Sequence, residues 1–144
     1  MQKTYSYEDL LDVISNTTVD QLQTSKNLIS QNFRTRVLED KFIFIKVNGC
    51  SLKVSYDNIH YIEGLKDYIK IFVNEKPLVT KSTIKHIEEK LPSEQFIRIH
   101  KSYIISIDKI DKIGYNHVFI GQKKIPIGMQ FKDSFYNMID KYRL

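Results

Sequence analysis

"KFIFIKVNGCSLKVSYDNIHYIEGLKDYIKIFV", residues 41–73, alternates side chains with the two-residue period of a β-strand. Phe42, Phe44 and Lys46 fall on one side of its first segment, and Ile43, Ile45 and Val47 on the other. The "NGC" turn supplies the glycine that a tight hairpin favours, and "SLKVSY" then sets Leu52, Val54 and Tyr56 on one side. "DNIHYIEG" and "KDYIKIFV" read as two more short strands, followed by "PLVTK". A helix is expected over about 83–91, with Ile84, Ile87 and Leu91 turned inward. "IDKIGY", "HVFI" and "KKIPI" return to the strand period, with turns at Asn116 and Gly121. A closing helix from about Gln130 is expected to bury Phe131, Phe135, Met138 and Tyr142. Residues 41–144 therefore read as one mainly β domain with one or two short helices.

The first forty residues read differently. Ser6 with Asp9, and Thr18 with Gln21, are N-terminal cap patterns for two helices. Leu22, Ile29 and Phe33 give the second helix a thin apolar stripe, which is expected to pack on the main domain, on a partner, or on a second copy. Charge divides at the same place. Residues 1–40 hold four Lys/Arg against six Asp/Glu, giving −2; the remaining eighteen against eleven give +7. A basic domain of this size favours a polyanionic partner. The apolar fraction of 42% suits a globular chain, and no run approaches the roughly 18 apolar residues of a membrane span. With a single cysteine, Cys50, no internal disulfide can form, and a reducing, cytoplasmic setting is expected.

The sequence offers little to an enzyme. It holds no phosphate-binding glycine loop, no nucleophile elbow and no HExxH. His60, His86, His100 and His117 are scattered without ligand spacing, so neither a metal nor another cofactor is expected.

Two stretches point instead to a binding surface. In "GLKDYIKIFV", alternation sends Ile69, Ile71 and Val73 to a core and leaves Lys66, Tyr68, Lys70 and Phe72 on the other face. That face is either a solvated exterior or a stripe whose lysines meet phosphates beside Tyr68. In "EQFIRIHKSYIISI", Ile97 and Ile99 turn inward while Arg98 and His100 share the opposite side, and Lys101 and Ser102 end the strand. Arg and Lys donate to guanine edges and Ser to phosphate, although His100 is equally suited to fixing a neighbouring loop. Lys81 and Ser82 precede the expected helix, where a hydroxyl caps it or a phosphate docks.

Together these passages resemble a family. "DNIHYIEGLKDYIKIFV", the "STIKHIEEKLP" helix, "FIRIHKSYIISIDKI" and "KKIPIG" are similar to LytTR domains, the DNA-binding output domains of bacterial response regulators. The resemblance spans about 41–140 and implies an elongated fold of about ten short strands that inserts loops into the major grooves of promoter direct repeats. It implies base reading from Tyr68, from Lys101, and from Met129 or Gln130 with Lys132 nearby. Residues 2–14 resemble the end of a receiver domain, with Thr4 where proline is usual. By this resemblance the chain is either an output domain with its linker, cut from a longer regulator, or a stand-alone relative. As the former it works downstream of a receiver and a histidine kinase, and pairing with a second copy on DNA is expected. The other readings are a module for RNA or single strands and a protein-binding β module. Runs of exposed aromatics would favour the former, and an exposed apolar patch the latter, but the sequence locates neither.

Overall fold

Asn48 and Gly49 both take positive φ, 52° and 81°, as a two-residue hairpin turn requires. They close β1 (Phe42–Val47) on β2 (Cys50–Ser55) with Val47 opposite Cys50, forming a two-stranded sheet. The computed structural model describes residues 41–74 and 76–144. The helices expected before residue 41, with their Leu22–Ile29–Phe33 stripe, lie outside these residues.

The centre is a five-stranded antiparallel sheet in the order β5-β4-β3-β7-β6. Its strands are β3 (Ile59–Leu65), β4 (Tyr68–Val73), β5 (Pro77–Lys81), β6 (Phe96–His100) and β7 (Tyr103–Ser106). A third sheet, β10-β9-β8, consists of β8 (Lys112–Ile113), β9 (His117–Ile120) and β10 (Lys123–Pro126). Two α-helices complete the described residues: α1 (Ile84–Lys90) and α2 (Lys132–Asp140). The mainly β architecture of ten short strands matches the sequence reading.

The central sheet buries both of its faces. Ile59, Ile62, Ile69, Ile71 and Ile104 join Ile45 of β1, Val54 of β2 and Ile87 of α1 in one core. Tyr61, Ile99 and Ile105 join Val118, Ile120 and Ile125 of the third sheet, and Phe135 and Ile139 of α2, in a second. Ile104 and Ile105 point opposite ways, which is why the strand is apolar at consecutive positions. Burying each such isoleucine contributes about 1.5–3 kcal/mol. α1 lies close against β3 because position 64 is glycine; a Cβ there would stand 3.2 Å from the Ile84 Cβ. Thr83 caps α1, its Oγ1 accepting from the His86 N–H at 3.1 Å.

Four expectations change. Lys66 is not in a strand but forms, with Asp67, the two-residue turn between β3 and β4, at φ 76°. Phe72 is not on an open face: it stacks on Tyr61, ring centroids 4.3 Å apart, against the second core. In α2 the inward residues are Phe135 and Ile139, and Tyr142 lies exposed beyond the helix end at Asp140. Leu52 is exposed near the hairpin turn, and Phe42 and Phe44 expose an apolar patch that the sequence did not locate.

Candidate nucleic-acid interface

Strand register brings most of the candidate residues to one end of the central sheet. Leu65 pairs with Tyr68 across the Lys66–Asp67 turn, and Tyr68 in turn pairs with Lys81 at the end of β5. The Ser82 N–H donates to the Asp67 carbonyl at 3.1 Å, joining the end of β5 to that turn. On the other side β3 pairs with β7, Glu63 opposite Tyr103, and the Gly64 N–H donates to the Ser102 carbonyl at 2.8 Å. His100 pairs with Tyr103, so Lys101 and Ser102 form the β6–β7 turn. The Gly128 N–H donates to the Ile99 carbonyl at 2.7 Å, which brings the 3-10 turn Met129–Phe131 to the same end. Lys66, Tyr68, Lys81, Lys101, Met129 and Gln130 are exposed there, and Ser82 and Ser102 are half-buried. Asp67 is the one acid among these tips.

Four candidates are set back from the tips. Lys70 lies two residues into β4, opposite Glu63 and Val79, with its Nζ 5.9 Å from the Phe72 ring centroid. The Lys132 Nζ sits 5.3 Å from the Tyr115 centroid. Arg98 has its donors engaged within the domain. Its Nε donates to the His100 carbonyl at 3.3 Å, one terminal nitrogen to the Lys101 carbonyl at 2.6 Å, and the other to Glu88 of α1 at 3.1 Å. The guanidinium also lies 5.5 Å from the Phe131 centroid. It thus ties α1, the Lys101 turn and the Met129–Phe131 turn together.

His100 is the second support of that turn. Its Nδ1 accepts from the Ser102 N–H at 3.1 Å, which requires an unprotonated nitrogen. Burial lowers its pKa from the ordinary 6.5, and the charges of Lys101 and Arg98 lower it further. Gly128 lies against this ring; a Cβ there would meet the Phe131 ring at 3.1 Å and the His100 Cα at 3.6 Å. On the neighbouring strand the Tyr103 hydroxyl donates to Glu63 at 3.1 Å, and burial with this bond raises its pKa. The hydroxyl therefore stays a donor at neutral pH.

The folded state depresses the His100 pKa, so its contribution to stability is present above the ordinary value of 6.5. It is lost as pH falls through the lower folded value, when a proton displaces the Ser102 bond. We expect the His100 ring to titrate below 6.5, and the Ser102 amide to lose its hydrogen-exchange protection in that step. Proton NMR against pH checks both; a midpoint at or above 6.5 would mean the ring is not the acceptor.

Asp67, Gly128 and Glu88 escaped the sequence reading. An unusual lysine in the left-handed region hid the first, and packing across sequence-distant elements hid the other two.

Residues 49–140 match the family model of the LytTr DNA-binding domain. The sensory transduction protein LytT of Enterococcus faecalis is 26% identical to this chain over 88 residues, which cover 57% of the chain and 36% of that protein. The chain thus spans about a third of that relative's length. A solved LytTr DNA-binding domain from Bacillus cereus superposes with a TM-score of 0.61, covering 69% of this chain and 97% of that one at 18% identity, and shares the fold.

Proposed function

The chain belongs to the LytTR family of DNA-binding domains, and on that premise we propose that residues 41–144 bind duplex DNA sequence-specifically to regulate transcription, as the output domain of a two-component response regulator. The observation that carries this reading is the convergence of three chain segments, each bringing a lysine, at one end of a sheet whose faces are both buried. In this reading Lys101 reads a base edge, Tyr68 and Gln130 flank it, and Lys66, Lys70, Lys81 and Ser82 hold phosphates. Lys132 extends the phosphate contacts. Ser102, Arg98 and His100 belong to the site by shaping the Lys101 turn.

Single strands or RNA suit this end less well. Base stacking needs exposed aromatic faces, and among the tips Tyr68 alone offers one. Residues 1–40 then serve as the linker from a receiver domain controlled by a histidine kinase. Two copies occupy promoter direct repeats in the cytoplasm. No helix among the described residues is long and apolar enough to cross a membrane.

Salt dependence tests the duplex reading. Log K should fall with log salt by about 0.9 for each phosphate neutralised, so four engaged lysines predict a slope of about −3 to −4. Fluorescence titration of a labelled duplex at several salt concentrations measures it. Affinity flat in salt, or higher for the separated strands, would sink the proposal.

A further inference from the structure

A groove of about 350 Å³ runs between β1, β4, β5 and α1. Its floor is apolar, formed by Ile45, Ile69, Ile71 and Ile87 of the first core. Every charged or ionisable side chain that lines it is basic: Lys46, Lys81, His86 and Lys90. Phe44 forms part of the same lining and is 60% exposed. Its ring meets Phe42 edge-on at 5.7 Å, so the apolar surface continues onto the outer face of the β1–β2 hairpin. Lys53 crowns that extension, its Nζ 4.2 Å from the Phe42 centroid.

An apolar floor inside a rim whose charges are all positive matches a partner that is apolar along one side and anionic along the other. DNA backbone answers the rim but leaves the isoleucine floor and both phenylalanines unused. A small amphiphile answers the groove but not its continuation over Phe44 and Phe42. We propose that this groove docks an acidic amphipathic helix of a partner protein, its apolar side seated on the exposed Phe44 and Phe42 at the groove's edge and its carboxylates facing Lys46 and Lys90. Lys81 belongs both to this rim and to the proposed DNA end, through its pairing with Tyr68. A docked acidic helix therefore competes with DNA for Lys81, which makes the groove a point of control. Only that competition rests on the DNA-binding reading.

The probe is a fluorescein-labelled synthetic helix of about five turns, with Leu at i, i+3, i+4 and i+7 and Glu elsewhere. Its control is a scrambled peptide of the same composition. The full chain should bind the first saturably and the second at least about tenfold more weakly. Phe44→Ser with Lys90→Glu, both at exposed positions, should weaken the first by about tenfold or more and leave duplex binding unchanged. Added peptide should displace the duplex from the unaltered chain. Equal binding of the scrambled peptide would reduce the groove to bulk charge and overturn the proposal. So would decanoate saturating the groove while the peptide fails to bind, since the occupant is then a small amphiphile. Equal loss of duplex affinity in the double variant would assign the groove to the nucleic-acid surface. Failure of the unaltered chain to bind any duplex would count against DNA binding and leave the peptide comparison intact.

Discussion

Arg98→Lys is expected to lose about 2–3 kcal/mol of stability and at least about tenfold in duplex affinity, although charge is conserved. The reason is the fork. Arg98 donates to two backbone carbonyls, at His100 and Lys101, and to the Glu88 carboxylate, with its side chain only 19% exposed. A hydrogen bond from a charged donor contributes about 1.5–3 kcal/mol, and an ammonium cannot span all three acceptors. The ion pair is the minor part. Glu88 is 44% exposed, so Glu88→Gln should cost well under about 1 kcal/mol and leave DNA binding close to its starting value. Urea unfolding gives the stability of both variants, and duplex titration at low urea, where each stays folded, gives affinity. If Glu88→Gln proves as damaging as Arg98→Lys, the ion pair to α1 would be the working contact rather than the carbonyls. If Arg98→Lys binds DNA normally, the Lys101 turn does not need this support.

Arg98 also shows how far the sequence could be read. An arginine beside a histidine and a lysine suggested direct contact with DNA by residue type. Its acceptors are a glutamate ten residues earlier and two carbonyls of a turn, and no spacing rule reveals these. The hairpin at Asn48–Gly49 was legible because that dipeptide adopts positive φ readily. The turn at Lys66–Asp67 was not, because a lysine rarely takes φ 76°, so the strand pattern seemed to run through it. Period two told which residues share a face of β4 but not that a second layer covers that face, and Phe72 was misplaced for that reason. The bulge in β3 sets Ile59 and Ile62 in the same core at a spacing of three, which strict alternation forbids. What the sequence conveyed was which lysines to single out, not that Lys66 sits in a turn. Lys66, Lys81 and Lys101 are dispersed in sequence, and each falls at or beside a strand end, where antiparallel pairing gathers them.

Lys101→Ala and Lys70→Ala are expected to fail in different ways. Lys101 is exposed at a two-residue turn whose backbone is fixed by Arg98 and by the His100–Ser102 bond. A cation on a fixed turn is suited to one base edge, so its loss should cost about 1–3 kcal/mol on the cognate site and relax preference at one base pair. Lys70 sits two residues behind the tip, paired with Glu63 and Val79, and reaches no further than the nearest phosphate in our reading. Its loss should weaken all sequences alike and lower the salt slope by about one. Tyr68→Phe keeps the ring and isolates the hydroxyl, which is available because Tyr68 is 48% exposed. Each variant is titrated against the cognate duplex and a panel of single base-pair changes, with circular dichroism confirming the fold. An unchanged base profile for Lys101→Ala would remove it as the reader. Base discrimination would then have to come from Tyr68 or Gln130, the exposed side chains flanking Lys101 in our reading. A preference relaxed at one base pair for Lys70→Ala would show that it touches a base, and the division between reading and holding would fail.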